Sequence, residues 1–225
     1  MHMRRATLLI LLLAAAPAAR AGEGVYITLD GGYASFSKDS LKKNLAGQVG
    51  QQNAVLLADD QMPDGLLLGM HLGYNIAGHV AFEGSFALHP WDTLSDTRGA
   101  IGIAGFATRW FPLQGFLRPD RQFDISLLTG IDYALLGSGG VTGIPQSGRG
   151  FDGMAFEFGG TLELYPAKWV SLGITPRLYE LDPLRYFTDF NKRDKGGQLP
   201  LSGNVGGSMF SISASVTFHF EAQPD

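Results

Sequence analysis

The chain contains no cysteine, so it lacks the disulfide scaffold on which small exported domains often depend. Past its first 21 residues, no uninterrupted apolar run reaches the ~20 residues that a membrane-spanning helix needs. Any membrane crossing by the rest of the chain would therefore have to use strands. The formal net charge of −4 is mild, which removes the case for nucleic acid as a partner. Lysine is scarce in the strand-like stretches: Lys168 sits beside a turn, while Lys38, Lys42, Lys43, Lys192 and Lys195 gather in connections. Glycine is plentiful instead, with 31 of 225 residues, about twice its usual share and without the G-X-Y period of collagen.

Residues Met1 to Ala21 carry Arg4 and Arg5, then the apolar stretch Ala6 to Ala16, and end in the A-x-A-like tripeptide Ala19 to Ala21. This is the layout of a secretory signal peptide cut before Gly22. Residues 22–225 are then expected to form one domain.

Within that domain, eight stretches alternate apolar and polar residues with period two, as a strand between two unlike environments does. They are Val25 to Tyr33, Leu66 to Tyr74, Val80 to His89, Ala100 to Trp110, Phe123 to Leu135, Met154 to Leu164, Val170 to Leu178 and Phe210 to Phe220. The fourth is irregular, because Ile101 and Ile103 fall out of phase with Phe106 and Trp110; a β-bulge near Gly105 would reconcile them. Soluble strands average five or six residues, whereas these runs have the length of tilted membrane-crossing strands. An even number of strands closes an antiparallel barrel.

Long connections are expected at Ser37 to Gly65, Pro90 to Gly99, Gly137 to Phe151 and Pro183 to Gly206, all at one rim. Short ones are expected at Ile76 to His79 and Pro166 to Lys168, with an intermediate one at Pro112 to Gln122. Tyr74, Trp110, Phe111, Phe123, Trp169, Phe218 and Phe220 fall beside the short turns, where an aromatic girdle would meet a membrane boundary. Tyr33, Trp91, Tyr133 and Tyr179 sit nearer the long connections, in the place of a second girdle.

The polar faces are built of Gly, Ala, Ser and Thr with scattered acids, His and Arg. A solvated exterior would carry many Lys and Glu, so this composition suits a crowded interior. An eight-stranded barrel is just wide enough for side chains to fill it. Asp30, His71, Glu83, Asp124, Asp132, Glu157, Glu163, Arg177 and His219 are the expected polar lining, with Arg109 joining if its strand points it inward. Buried charges persist only when paired, so surplus acids must lie near a wet rim or hold a proton. A continuous wide pore is not expected.

With these features the chain resembles the small outer-membrane barrels of the OmpA, OmpX and OmpW kind. The resemblance rests on architecture and on the terminal strand Phe210 to Phe220, which is similar to the C-terminal signal such barrels present to the insertion machinery. It implies an all-β, eight-stranded antiparallel up-and-down transmembrane barrel in the outer membrane of a Gram-negative cell. It further implies that Phe218 and Phe220 act as the assembly signal, from which the tail Glu221 to Asp225 departs. The implied partners are outer-membrane lipid, lipopolysaccharide and the insertion machinery, with the barrel itself a monomer.

Some barrels of this size resemble lipid A deacylases or acyltransferases, so a catalytic constellation was sought. Glu83, Ser85 and His89 share a face, but at ~3.3 Å per residue Ser85 and His89 stand about 13 Å apart, beyond hydrogen-bond reach. Ser215 and His219 have the same spacing, and no histidine begins a His-x-Ser motif. The five histidines show no metal-ligand spacing. The glycine-rich run Gly137 to Gly143 follows a strand but opens no helix, so it is a weak phosphate loop. The first connection has a helix-compatible stretch around Leu41, Leu45 and Val49, and Lys192, Arg193 and Lys195 in the last one offer charge to lipopolysaccharide phosphates. The expected role is structural or that of a small-solute channel, with no catalytic, cofactor or metal residues. An enzyme acting on envelope lipid and a soluble lipocalin-like binding barrel are the alternatives.

Overall fold

A computed structural model describes residues 24–37, 39, 42–43, 64–76, 78–92, 98–113, 123–138, 149–167, 169–187, 198–199 and 207–221. The expected signal peptide lies outside these residues, as do Leu41, Leu45, Val49 and the last-connection residues Lys192, Arg193 and Lys195. The strands are β1 Gly24–Ser37, β2 Gly65–Ile76, β3 Val80–Asp92, β4 Arg98–Trp110, β5 Phe123–Ser138, β6 Arg149–Ala167, β7 Val170–Phe187, β8 Gln198–Leu199 and β9 Gly207–Glu221. β8 is a two-residue strand that pairs with the end of β7 above the barrel. The other eight pair antiparallel with their chain neighbours, and β9 closes the ring by pairing with both β1 and β7.

The register sets the size of the barrel. Paired residues followed once around it run from Gly24 through Asn75, Ala81, Arg109, Leu128, Gly159, Arg177 and Ser211, and return to β1 at Ala34, ten positions further on. With eight strands ~4.8 Å apart and ~3.3 Å per residue, this stagger gives a tilt of about 40° and a radius of about 8 Å. Each residue then climbs about 2.5 Å along the axis. The outward face of β9 from Phe220 to Phe210 spans ten residues, or about 25 Å, the height of a membrane barrel's apolar band.

The apolar face points out. Leu29, Leu72, Phe86, Ile131, Phe156, Ile174 and Ile212 are exposed, while Thr28, Ser126, Thr161, Thr175 and Ser213 are buried. This is the reverse of a lipocalin-like soluble barrel, whose apolar side chains would fill the centre.

Four sequence expectations are corrected. β4 has no bulge near Gly105: its pairing with β3 and β5 is unbroken, and Ile101 and Ile103 point into the barrel. Gly105 is needed for close approach instead, since a Cβ there would meet Asp132 Cα at 2.5 Å. The register shifts that do occur lie between β6 and β7, at Gly153/Ala155 and Leu164/Ala167. The connections are less one-sided than expected, because β3 and β4 stay paired as far as Asp92 and Arg98. That leaves residues 93–97 at the upper rim, against the longer 111–122 below. Phe111 and Tyr179 are buried rather than in a girdle: Phe111 packs on Tyr26 and Ala81 at the barrel base, and Tyr179 lies on the inward face of β7. Tyr74, Trp110, Phe123, Trp169, Phe218 and Phe220 are exposed at the lower edge, with Tyr33 and Tyr133 exposed at the upper. The side chain of Trp91 lies outside the described residues.

The short turn from β2 to β3 shows why glycine is needed there. His79 N–H donates to Ile76 O at 3.1 Å, and Gly78 takes φ 71°, a left-handed conformation that a Cβ disfavours.

Candidate functional site

The interior is the one place where polar side chains from every barrel strand converge, and it has three levels. At the base, Arg109 from β4 is the hub. Its Nε donates to Glu83 Oε1 at 2.6 Å, and its Nη1 donates to Ser126 Oγ, Thr161 Oγ1 and Glu163 Oε1 at 3.2–3.3 Å. Tyr26 donates to Glu83 at 2.5 Å and Tyr165 to Glu163 at 2.7 Å. The ring of His219 lies 6.0 Å from that of Tyr26 and 5.5 Å from that of Tyr165, with its Nε2 3.0 Å from Ser171 Oγ. Asp124 is buried at the same level.

At mid-height Arg177 from β7 is the second hub. Its Nη1 donates to Asp30 Oδ2 at 2.5 Å and to Ser213 Oγ at 3.1 Å, its Nη2 to His71 Nε2 at 3.1 Å, and its Nε lies 3.0 Å from Glu157 Oε1. Ser213 also donates to Asp30, and Ser85 donates to Asp132 at 2.9 Å. Glycine on the facing strand makes room for these side chains: a Cβ at Gly69 would strike the Asp30 carboxylate, and one at Gly130 would meet Glu157 Oε2 at 3.0 Å. The high glycine content is thus in part a packing requirement of the interior.

Above Arg177 the lining becomes apolar. Leu67, Ile101, Ile103, Leu181 and Met209 are each no more than 2% exposed, and Ala34 and Phe36 join them on the inward face of β1. His89 sits in this layer, fully buried, with Nδ1 2.5 Å from Leu66 O and its ring 5.6 Å from that of Phe36. A band of aliphatic side chains with no exposed surface leaves no path for hydrated solute.

The structure therefore places Asp30, His71, Glu83, Asp124, Asp132, Glu157, Glu163 and Arg177 buried in the interior, and His219 half-buried at its base. It divides them between two hubs rather than one network. Tyr26 and Tyr165 were missed as partners because both look like girdle aromatics in sequence. Their alternation phase, shared with Thr28 on β1 and Glu163 on β6, was the available signal. The trio Glu83, Ser85 and His89 is dispersed: Glu83 binds Arg109, Ser85 binds Asp132, and His89 lies in the apolar layer. The contact between Ser171 and His219 is a serine–histidine pair, but Ser171 is fully buried, so no substrate reaches its hydroxyl. Among the described residues no group of acids and histidines could hold a metal ion.

The chain matches no protein-family profile, and no curated protein matches it by sequence. Solved structures do match by fold. The Neisserial surface protein A barrel superposes with a TM-score of 0.58 over 88% of this chain and 99% of that one, at 11% identity. The outer membrane protein OprG from Pseudomonas aeruginosa gives 0.52 over 90% and 99%, at 14% identity. The chain thus has the fold of the small eight-stranded outer-membrane barrels.

Proposed function

We propose that this protein is a monomeric outer-membrane barrel with a structural role: a closed, non-conducting anchor that holds its long connections at the cell surface. The carrying observation is the apolar layer of Leu67, Ile101, Ile103, Leu181 and Met209 across the top of an ion-paired interior. Such a centre gives rigidity rather than a pathway, because each hub bonds side chains from several strands. The exposed apolar band requires hydrocarbon around it, since a soluble monomer rarely exposes so large an apolar surface. Phe218 and Phe220, exposed near the end of β9, serve as the recognition element for the insertion machinery.

Fractionation tests this reading. The folded chain should be recovered with the outer membrane, require detergent for extraction, and migrate faster on gels before boiling than after. Recovery in the soluble periplasmic fraction would refute it. Phe218→Ala with Phe220→Ala should reduce the amount of folded barrel in the membrane, and an unchanged amount would remove the assembly role.

A further inference from the structure

The outward surface is uneven around Phe106. This side chain is 80% exposed, more than any other large apolar residue of the described band. Its neighbours are small: Ala104 and Thr108 flank it on β4, and its register partner on β3 is Gly84. Phe106 consequently stands as a ridge between two depressions. On the β5 and β6 side lies an open groove of about 700 Å³, lined by Thr129, Ile131, Phe156 and Phe158. On the β3 side lies a smaller one of about 320 Å³, lined by Phe82, Gly84 and Thr108.

The larger groove runs from the paired Thr108 and Thr129 up to the paired Tyr133 and Met154 at the upper edge. At about 2.5 Å per residue, corrected for strand tilt, it covers roughly 15 Å of height, which is half of a ~30 Å hydrocarbon core. Its upper end is at the rim of the long connections, so it belongs to the leaflet on that side. At this depth an occupant has to be hydrocarbon, and the groove is continuous with the apolar band that meets lipid.

Resting on the outer-membrane reading above, we propose that the two grooves beside Phe106 hold two acyl chains of one lipopolysaccharide molecule in the outer leaflet. Neighbouring grooves that share one wall suit chains joined at a common headgroup. Van der Waals fit selects the occupant, since lipid offers no hydrophobic driving force between two apolar surfaces.

The full chain, extracted from outer membranes in mild detergent, would be analysed by native mass spectrometry with purified lipopolysaccharide as the added probe. The unaltered barrel should retain one lipopolysaccharide through washing. Thr129→Trp, which fills the larger groove, should lower retention several-fold, while Ile174→Trp on β7 leaves it unchanged. Ala104→Leu is the second groove-filling variant should Thr129→Trp not fold, with heat-shifted gel mobility reporting folding. Undiminished retention by the folded groove variants would overturn the proposal, as would preferential retention of phospholipid or a dimer abolished by Phe106→Ala. A chain absent from the membrane fraction would instead fail the underlying reading, so the two failures are distinguishable.

Discussion

Arg177 stands between Asp30 and Glu157, with each carboxylate within 3.0 Å of its guanidinium and all three side chains buried. Removing one partner of a buried ion pair strands the other, so Arg177→Ala should destabilise the barrel by about 3–5 kcal/mol. Ser213→Ala, which deletes one neutral hydroxyl from the same cluster, should cost only about 1 kcal/mol. Urea unfolding in detergent micelles checks both, and equal losses would show that Arg177 is not the hub. The acids, His71 and Arg177 were legible as lining because their alternation phase is clean. Their pairing was not, because Arg177 and Asp30 lie 147 residues apart in sequence and only closure of the barrel brings them together. Tyr26, Tyr165 and Tyr179 were obscured for another reason: an aromatic near a strand end reads the same whether its hydroxyl reaches an interior acid or a headgroup.

Strands are where the sequence was most informative, since period-two alternation is a local signal that survives without knowledge of neighbours. β9 is the clearest example, with Phe210, Ile212, Val216, Phe218 and Phe220 exposed against buried Ser211, Ser213, Ser215 and Thr217. β4 is the counterexample. Ile101 and Ile103 line an interior that is apolar at their height, so a rule equating apolar with outward invented a bulge that the continuous pairing excludes. Strand ends were also underestimated at β3 and β4, whose pairing continues through Pro90 and Trp91 toward the upper rim. The orientation of the faces has a direct test at Leu29, exposed near the middle of β1. Leu29→Arg should cost about 2–4 kcal/mol of unfolding free energy in phospholipid vesicles if that face meets hydrocarbon. A change within about 0.5 kcal/mol would instead mark an ordinary solvated surface.

At the scale of the whole molecule, eight strands with a stagger of ten make a cylinder of about 8 Å radius, which side chains alone can fill. The base is occupied by Arg109 and its partners, the middle by Arg177 and its partners, and the top by the aliphatic layer. Closure is therefore a property of all three levels, with the top level the simplest to breach. Replacing Ile101, Leu181 and Met209 together by serine should admit water above the Arg177 cluster and raise proton or ion leakage in vesicle flux assays, provided gel mobility shows a folded barrel. Leakage equal to that of the unaltered protein would locate the seal elsewhere. The most direct measurement is single-channel recording of the unaltered barrel in planar lipid bilayers. A closed interior predicts a current no different from that of protein-free lipid at moderate voltage, whereas steady ohmic steps of uniform size would contradict it.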